Sequence, residues 1–350
     1  MGNKYILDNK TIERIKQNNC FDFLRYFFAL SLILVHFCTL TETEQFWFIS
    51  GQMRVKAFFT ITGFLVVYSY IRRGNIKIYF IKRVRRILPA YITTILFCFI
   101  IGYFFSFESY SEYFFSIQSI KYLIANLTFL NFIEPCLPGL FSNNPVETSV
   151  NGSLWSMKYE VIFYILVPFI IWLIKKYHKS YIIITIISLY IGFHAILDYL
   201  EFRTGNLFYH TVNNSSPNTM IYFITGTFIL LYFDWFYKNI KYIIISCAFF
   251  FVFLEISEID FLYYIEPIFF SSFIIGFAYY VKPLYFLRKY DNISYGLYLF
   301  HYPVIQVLIQ YQLHIYNIYL TFILALIITI FLALISWYII EKPLLNKKTC

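Results

Sequence analysis

Charged side chains are scarce in this chain: Asp, Glu, Lys and Arg together make up 13% of its 350 residues. Hydrophobic residues make up 60%, and the mean hydropathy is +0.64. A water-soluble domain of this length has too little interior to bury so much apolar side chain. The composition therefore excludes a soluble globular enzyme and indicates a helical membrane protein with several spans.

Paired cysteines are missing as well. None of the six cysteines forms a C-x-x-C pair, so the sequence predicts neither a disulfide framework nor a metal site. The first twenty residues are polar and lack a small-residue cleavage motif, so no signal peptide is expected. The net charge of +9 does not by itself indicate nucleic-acid binding, because the positions of the cations decide what they contact. We expect the lipid bilayer, and not nucleic acid, to be a partner.

Apolar stretches of spanning length recur along the whole chain. One of them, 114–133, contains Gln118, Lys121, Asn126 and Asn131, which suit it poorly to lipid, so we expect it to be interfacial or re-entrant. The other candidate spans are 21–40, 54–71, 87–106, 153–174, 180–197, 219–236, 241–258, 264–281, 293–310 and 318–340.

The distribution of basic residues sets the predicted topology. With the N-terminus in the cytoplasm and 114–133 not crossing, 22 of the 28 Lys and Arg residues fall in cytoplasmic segments, as the positive-inside rule requires. We predict an all-α, polytopic bundle of about ten transmembrane helices with both termini cytoplasmic. Its parts are a cytoplasmic segment 1–20, a transmembrane domain 21–340 and a cytoplasmic tail 341–350. The outer-side cations are Arg54, Lys56, Lys121, Lys158 and Arg203.

The first candidate span carries ionisable side chains. Residues 20–40 read CFDFLRYFFALSLILVHFCTL, with Asp22, Arg25 and His36 among apolar neighbours. Arg25 and His36 are separated by about three full helical turns, so they share one face, about 16 Å apart along the axis. Ionisable groups inside a span mark function by default. The alternative is an arginine at the headgroups and a histidine that bonds a neighbouring helix.

The most basic part of the chain is the predicted first cytoplasmic loop, 72–86, with seven Lys and Arg residues. Arg83 and Arg86 are spaced i, i+3 and share a face at the entrance to the third span. Guanidinium groups bind phosphate through paired N–H donors, so the two arginines suit a polyanionic ligand. The alternative is a topology anchor that pairs with anionic lipid.

A polar stripe follows the outer loop 134–152. Ser156, Glu160 and Tyr164 are spaced i, i+4, i+8 and so line one face of the next helix. A carboxylate there could orient an imidazole or accept a hydrogen bond from a sugar hydroxyl. The alternative is a carboxylate that is stabilised by the helix dipole, and Trp155 could equally be an interfacial anchor.

The ninth candidate span opens with ISYGLYLFHYPVI. Ser294 and His301 are spaced i, i+7 and Tyr298 lies between them, so the three polar side chains share one helical face. This span therefore supplies a second histidine at membrane depth.

Six segments of the chain, in this order, resemble the membrane acyltransferase-3 family: FDFLRYFFALSLILVHF, AFFTITGFLV, IKRVRRILPAY, NGSLWSMKYEVIFYILVP, ISYGLYLFHYPV and the closing EKP. Each segment is a weak signal alone, but six in the same order are specific. Members of this family are bacterial enzymes that O-acylate, usually O-acetylate, surface polysaccharides and other extracytoplasmic glycans. The resemblance covers almost the whole chain.

The resemblance implies roles for the residues singled out above. Arg25 and His36 match the family's Arg-x10-His element, in which the histidine is the catalytic base. Arg83 and Arg86 match its Arg-x-x-Arg element, which is associated with the acyl-CoA donor. The remaining matches are Glu160, expected to be catalytic, and the expected substrate-binding residues Trp155, Ser294, Tyr298 and His301.

The function that this resemblance implies is transfer of an acyl group, most often acetyl, from cytoplasmic acyl-CoA to a hydroxyl of a surface polysaccharide or lipid-linked oligosaccharide. Acetyl-CoA is then a substrate and no bound cofactor is expected. Separate glycan-handling proteins are a further expected class of partner. The expected location is the bacterial inner membrane. Two alternatives remain, a transporter or flippase and a polysaccharide polymerase. The first is disfavoured because no internal repeat is evident, and the second because the outer loops are mostly acidic.

Overall fold

The computed structural model describes residues 6–17, 19–44, 51–146, 148–213, 219–257, 259 and 262–346. All regular secondary structure in these ranges is helical, which confirms the predicted all-α class. The α-helices are α1 Asn9–Lys16, α2 Phe21–Leu40, α3 Gly51–Arg73, α4 Ile76–Gly102, α5 Tyr110–Phe115, α6 Ile117–Leu127, α7 Met157–Lys176, α8 Lys179–Thr204, α9 Leu207–Asn213, α10 Met220–Leu231, α11 Phe233–Lys238, α12 Ile240–Ile256, α13 Leu262–Tyr280, α14 Ser294–Gln310, α15 Leu313–Tyr316, α16 Ile318–Ile335 and α17 Lys342–Asn346. A π-helical turn, Ser336–Glu341, joins the last two.

Seven helical segments of the described chain are long and apolar enough to cross a membrane. They are Phe21–Leu40, Gln52–Arg73, Ile76–Phe105, Gly152–Lys176, Lys179–Thr204, Leu262–Tyr280 and Ile318–Asn346. Three further predicted spans correspond to shorter apolar helices: α12 and α14 have 17 residues each, and α10 has 12. The structure therefore supports a polytopic membrane protein and seven of the predicted spans by length.

The predicted basic loop 72–86 is almost entirely helical. α3 runs to Arg73 and α4 begins at Ile76, so only two residues connect them. Gly74 lies in the left-handed region, with φ of +65°, and its N–H donates to the Tyr70 carbonyl at 3.1 Å. This is an αL helix cap, which glycine adopts without a Cβ clash. The arginines of this segment consequently lie on a helix.

The segment 114–133 does not form a single spanning helix. It contains the end of α5, the 11-residue α6 and an irregular stretch. Ser116 begins α6 by accepting a hydrogen bond from the Ser119 N–H, and the Asn126 side chain donates to the Glu134 carbonyl at 3.1 Å. Polar side chains that favour caps and turns thus keep these helices short.

The predicted span 219–236 is broken at Tyr232, where φ is −116° and ψ is 23°. The chain then starts a new helix, α11, whose Asp234 forms ion pairs with Arg14 of α1 and, at 2.8 Å, with Lys238. The break separates the apolar α10 from a charged helix that packs against α1. Paired charges are thereby collected outside the apolar helix.

The chain divides into two compact units that alternate along the sequence. Unit 1 comprises the chain up to Leu24, Val55–Ile76 and Tyr159–Tyr290, and unit 2 comprises Arg25–Arg54, Lys77–Lys158 and the chain from Asp291. In unit 1, α13 packs against α10 and α12. A Cβ on Gly63 of α3 would lie 2.1 Å from the Phe223 carbonyl oxygen of α10, so this helix pair approaches closely because small residues meet there.

Unit 2 is built around α14, which packs along α16. Thirteen of its 17 residues are buried, including His301 and Gln306, both 0% exposed. A membrane helix that is buried on most of its surface and carries polar side chains has its polar groups facing protein, where they find hydrogen-bond partners. This helix organises the candidate site.

Candidate active site

A proline determines how α14 is held. Pro303 has no N–H to donate to the Leu299 carbonyl four residues earlier. The Asn151 Nδ2 donates to that carbonyl at 2.8 Å, and Asn151 is itself buried, with its Oδ1 accepting from the Ser153 Oγ at 2.6 Å. A loop amide therefore supplies the hydrogen bond that the helix backbone cannot make.

Further hydrogen bonds fasten the same loop to the following turns of α14. The Gln306 Nε2 donates to the Ser149 carbonyl at 3.0 Å, and the Asn144 Nδ2 donates to the Gln306 carbonyl at 3.0 Å. The Ser149 Oγ donates to the Tyr302 hydroxyl at 3.3 Å. Loop residues 144, 149 and 151 and the middle of α14 thus form one hydrogen-bonded assembly around His301.

The two histidines predicted for separate spans meet in unit 2. His36 Nδ1 lies 2.7 Å from His301 Nε2, and the ring planes are 10° from parallel. His301 is completely buried, whereas His36 is partly exposed. The Tyr302 ring packs edge-on against His36 at a centroid distance of 5.3 Å. His301 is therefore fully enclosed by protein, whereas His36 keeps some exposed surface.

Unit 2 also contains a buried cation, Arg54, that the sequence did not predict to belong to the site. Arg54 lies in the first turn of α3 and is 0% exposed. Burying a guanidinium is costly unless neighbouring groups stabilise it, so this residue belongs to the interior of the site. Its position near a predicted helix end gave it the sequence signature of an ordinary outer-side cation.

The other polar residues of α14 make local contacts. The Tyr298 hydroxyl donates to the Ser153 carbonyl and lies 3.0 Å from the Ser156 Oγ. The Tyr298 ring centroid is 6.3 Å from that of His301. Ser294, the first residue of the helix, donates to the Asn292 Oδ1 at 2.6 Å. Tyr298 therefore borders the histidine pair, while Ser294 takes part in the start of the helix.

The two arginines predicted to contact the donor both lie on α4 in unit 2, and both are partly exposed. Arg86 Nη1 lies 3.4 Å from the Glu341 carboxylate, which is 1% exposed and also accepts from the Ser336 Oγ at 3.2 Å. The π-helical turn Ser336–Glu341 presents this carboxylate. The Arg86 guanidinium also lies over the Trp337 ring at 5.7 Å. One partner of Arg86 is thus a buried acid.

The remaining predicted residues are distributed between the two units. Arg25 is partly exposed on α2, and Trp155 is partly exposed in the 3₁₀ turn Gly152–Ser156; both belong to unit 2. Glu160 lies on α7 in unit 1, where its Oε1 accepts a hydrogen bond from the Tyr164 hydroxyl at 2.5 Å. Of the predicted polar stripe, Glu160 and Tyr164 form a hydrogen-bonded pair in unit 1, whereas Ser156 belongs to unit 2.

Residues that the sequence did not single out complete the site in unit 2. Besides Arg54, they are Asn151 and Tyr302. Asn151 could have been found from the combination of an internal helix proline and a distant Asn-Gly-Ser turn, but no local pattern states which carbonyl the amide reaches. Tyr302 adjoins His301 in the sequence, and no role was predicted for it.

The arrangement in unit 2 suits proton transfer near a reacting carbonyl. An oriented, partly exposed imidazole can take a proton from a hydroxyl. A buried cation in the same unit can stabilise negative charge that develops on oxygen. These are the two requirements of acyl transfer to an alcohol.

Comparison with known proteins decides the family. The model of the acyltransferase-3 family, described as an acyltransferase domain, matches residues 18–342. The chain belongs to this family. The predicted resemblance is therefore confirmed, and the protein is a membrane acyltransferase.

Two curated relatives match over almost their whole length. An O-acetyl transferase of Shigella phage Sf6 is 25% identical over 95% of this chain and 98% of the relative. Nodulation protein 10 of Rhizobium leguminosarum bv. viciae is 22% identical over 95% of this chain and 94% of the relative. No solved structure matches.

Proposed function

We propose that this acyltransferase is an O-acetyltransferase that moves an acetyl group from cytoplasmic acetyl-CoA to a hydroxyl of an extracytoplasmic or lipid-linked glycan. The relative named O-acetyl transferase, which aligns over nearly its full length, supports the acetyl group. The family resemblance of the quoted motifs supports CoA as the donor and a glycan as the acceptor.

The observation that carries the proposal is the contact between His36 and His301, whose ring nitrogens lie 2.7 Å apart. A histidine pair in the apolar interior of a membrane protein, with one ring accessible, has no evident structural purpose that an apolar pair would not serve better. An imidazole held in place is the group that transfer to a hydroxyl requires.

The proposed reaction needs a base and positioning, because a thioester is already activated. His36 takes the proton of the acceptor hydroxyl while the oxygen attacks the acetyl carbonyl, and Arg54 stabilises the negative charge on the carbonyl oxygen. The C–S bond then breaks, and the proton passes from His36 to the departing sulfur. The products are the O-acetyl ester and CoA with a free thiol.

The donor is proposed to bind through the basic face of α4. Arg83 and Arg86 share that face, and Arg86 remains partly exposed although Glu341 lies beside it. Guanidinium groups of this kind bind phosphate oxygens strongly. The CoA phosphates would therefore lie at the cytoplasmic mouth, with the pantetheine arm leading towards His36.

We assign the acceptor-side roles from the family motifs. Glu160 is proposed to act in catalysis by orienting a reacting group, and its 2.5 Å contact with the Tyr164 hydroxyl gives it a defined direction. Arg25, Trp155 and Tyr298 are proposed to contact substrate. Ser294 and His301 are also proposed for the substrate side, although their described bonds are to neighbouring protein groups.

The proposed topology has ten spans, both termini in the cytoplasm and the inner membrane as location. The basic residues of the sequence support it. We expect an impermeant thiol reagent, applied from outside, to label a cysteine placed at position 143 and not one at position 178. Labelling at 178 would contradict the ten-span arrangement.

The function is tested at His36. We expect His36→Gln to lower acetyl transfer by about 10²–10⁴-fold, because an amide cannot take the proton, while expression and membrane insertion are kept. The measurement is the acetyl content of the native surface glycan, by mass spectrometry, in a deletion strain complemented with each variant. His314→Gln, the same substitution on α15, is the matched control and should behave as wild type. Substantial acetylation by His36→Gln would make the imidazole structural.

A further inference from the structure

The contact between the two histidine rings is an in-plane hydrogen bond. The ring planes are nearly parallel and the centroids are 5.0 Å apart, yet the two nitrogens are separated by 2.7 Å. Rings stacked face to face cannot bring two nitrogens that close, so the rings lie edge to edge. One of the two nitrogens therefore carries the hydrogen and the other accepts it.

The second nitrogen of His301 settles which one is the donor. His301 Nδ1 lies 3.0 Å from the Leu297 carbonyl oxygen, one turn earlier in α14. A carbonyl oxygen only accepts, so Nδ1 of His301 carries the hydrogen and donates. In the neutral ring, Nε2 of His301 is then the bare nitrogen, and it accepts from the Nδ1–H of His36. Because the hydrogen of His36 is on Nδ1, its Nε2 bears a lone pair.

We infer that His301 is a positioning residue that fixes the tautomer of His36, so that His36 Nε2 is the atom that takes the acceptor proton. This inference rests on the proposed function. His36 therefore donates to His301, and His301 donates to the Leu297 carbonyl. His36 Nδ1 is engaged by His301, so Nε2 is the nitrogen of His36 that remains basic.

Accessibility distinguishes the roles of the two rings. His301 is 0% exposed and both its nitrogens are engaged, so its part on the substrate side is indirect, through His36. His36 is partly exposed. His301 and the Leu297 carbonyl orient His36 as the aspartate orients the histidine of a serine-protease triad. Here, however, the final acceptor is a neutral backbone carbonyl. A carbonyl suits the interior of a membrane, where an additional buried carboxylate is costly.

The tautomer can be observed directly. The experiment uses the full chain in lipid vesicles, with ¹⁵N-labelled histidine, and solid-state NMR. The six histidines are assigned by difference spectra of His36→Gln and His301→Gln. We expect a protonated Nδ1 and a bare Nε2 for both rings, with a coupling between His36 Nδ1 and His301 Nε2. A His36 ring protonated at Nε2 would overturn the inference.

Kinetics separate positioning from a merely structural role. His301→Leu removes the acceptor for the His36 Nδ1–H, and we expect kcat to fall about 10²–10³-fold, less than the roughly 10⁴-fold loss in a triad that loses its charged orienting acid. The KM for acetyl-CoA should stay within about threefold, because neither ring is placed on the donor. His301→Gln can accept from His36 and donate to a carbonyl, so its kcat should remain within about tenfold of wild type.

Two kinetic results would overturn the inference: loss of activity by His301→Gln equal to that of His301→Leu, or an unchanged kcat in His301→Leu. The NMR measurement needs no turnover and no acceptor. It therefore tests the tautomer even if the glycan acceptor proposed above is wrong, and an inactive wild-type protein with the expected spectrum would contradict only the proposed function.

Discussion

The hydrogen bond between Asn151 and the Leu299 carbonyl should be worth more than a typical polar contact in a membrane protein. Pro303 cannot donate to this carbonyl, and the Asn151 amide reaches it at 2.8 Å. We predict that Asn151→Ala lowers the free energy of unfolding because it leaves a helix carbonyl without its donor. The same change also deprives the Ser153 Oγ of its 2.6 Å acceptor.

The size of the effect follows from two limits. Interhelical hydrogen bonds in membrane proteins contribute about 0.6 kcal/mol on average and at most about 1.7 kcal/mol, because the unfolded chain in lipid finds other partners. A buried group left without any partner costs about 1–3 kcal/mol. The larger estimate applies to the Leu299 carbonyl, because the residue that would donate to it in a helix is Pro303, which has no N–H. We therefore expect a loss of about 1–2 kcal/mol.

A compensating substitution makes the test specific. Pro303→Ala restores an N–H that can donate to the Leu299 carbonyl, so the double variant Asn151→Ala/Pro303→Ala should regain most of the lost stability. The assay is a denaturant titration of the full chain in bicelles, read as a double-mutant cycle. Thr94→Ala is the control: its buried hydroxyl donates to the Ala90 carbonyl at 2.9 Å, and this carbonyl can keep its helix donor, so the substitution should cost less. Strictly additive effects of the two substitutions would refute the reasoning.

Two further predictions concern ion pairs. Arg86→Ala should raise the apparent KM for acetyl-CoA about ten- to a hundredfold, as expected for lost charge-assisted bonds of roughly 1.5–3 kcal/mol. If Arg86 only neutralises Glu341, the double variant Arg86→Met/Glu341→Gln will instead restore the wild-type KM. In unit 1, Lys56 lies 3.6 Å from the buried Glu266, and removing either charge should lower the free energy of unfolding by up to about 3 kcal/mol. A denaturant titration should show recovery in Lys56→Met/Glu266→Gln, and equal stability of all four proteins would contradict a paired buried carboxylate.

Local pattern was sufficient for part of the fold and of the site. Apolar length marks a spanning helix, because lipid admits only segments whose backbone groups bond within the segment. Polar residues within 114–133 and the distribution of Lys and Arg along the chain predicted that this segment would not cross. The spacing of Arg25 and His36 placed both on one helical face, and the ordered motifs identified the family. These features depend on neighbours within a few turns of the chain.

The helix boundaries were less predictable. The basic segment 72–86 was expected to be a loop because its charges oppose burial, but charge does not interrupt a helix when no proline or glycine intervenes. Only Gly74, with its positive φ, breaks the helical conformation there. Conversely, the predicted span 219–236 contains no proline and breaks at Tyr232 because Asp234 pairs with Arg14, far away in the sequence.

What the sequence by itself determined is the class of the protein: a helical, polytopic membrane acyltransferase, through apolar spans, charge distribution and short motifs. Only the tertiary structure decided which polar groups meet. His36 and His301 are 265 positions apart, and the partners of Arg86 and Asn151 lie on other segments. In a membrane helix nearly every neighbour is apolar and so carries little information about pairing. The few polar groups are specified by hydrogen bonds between helices, which exist only once the helices have packed.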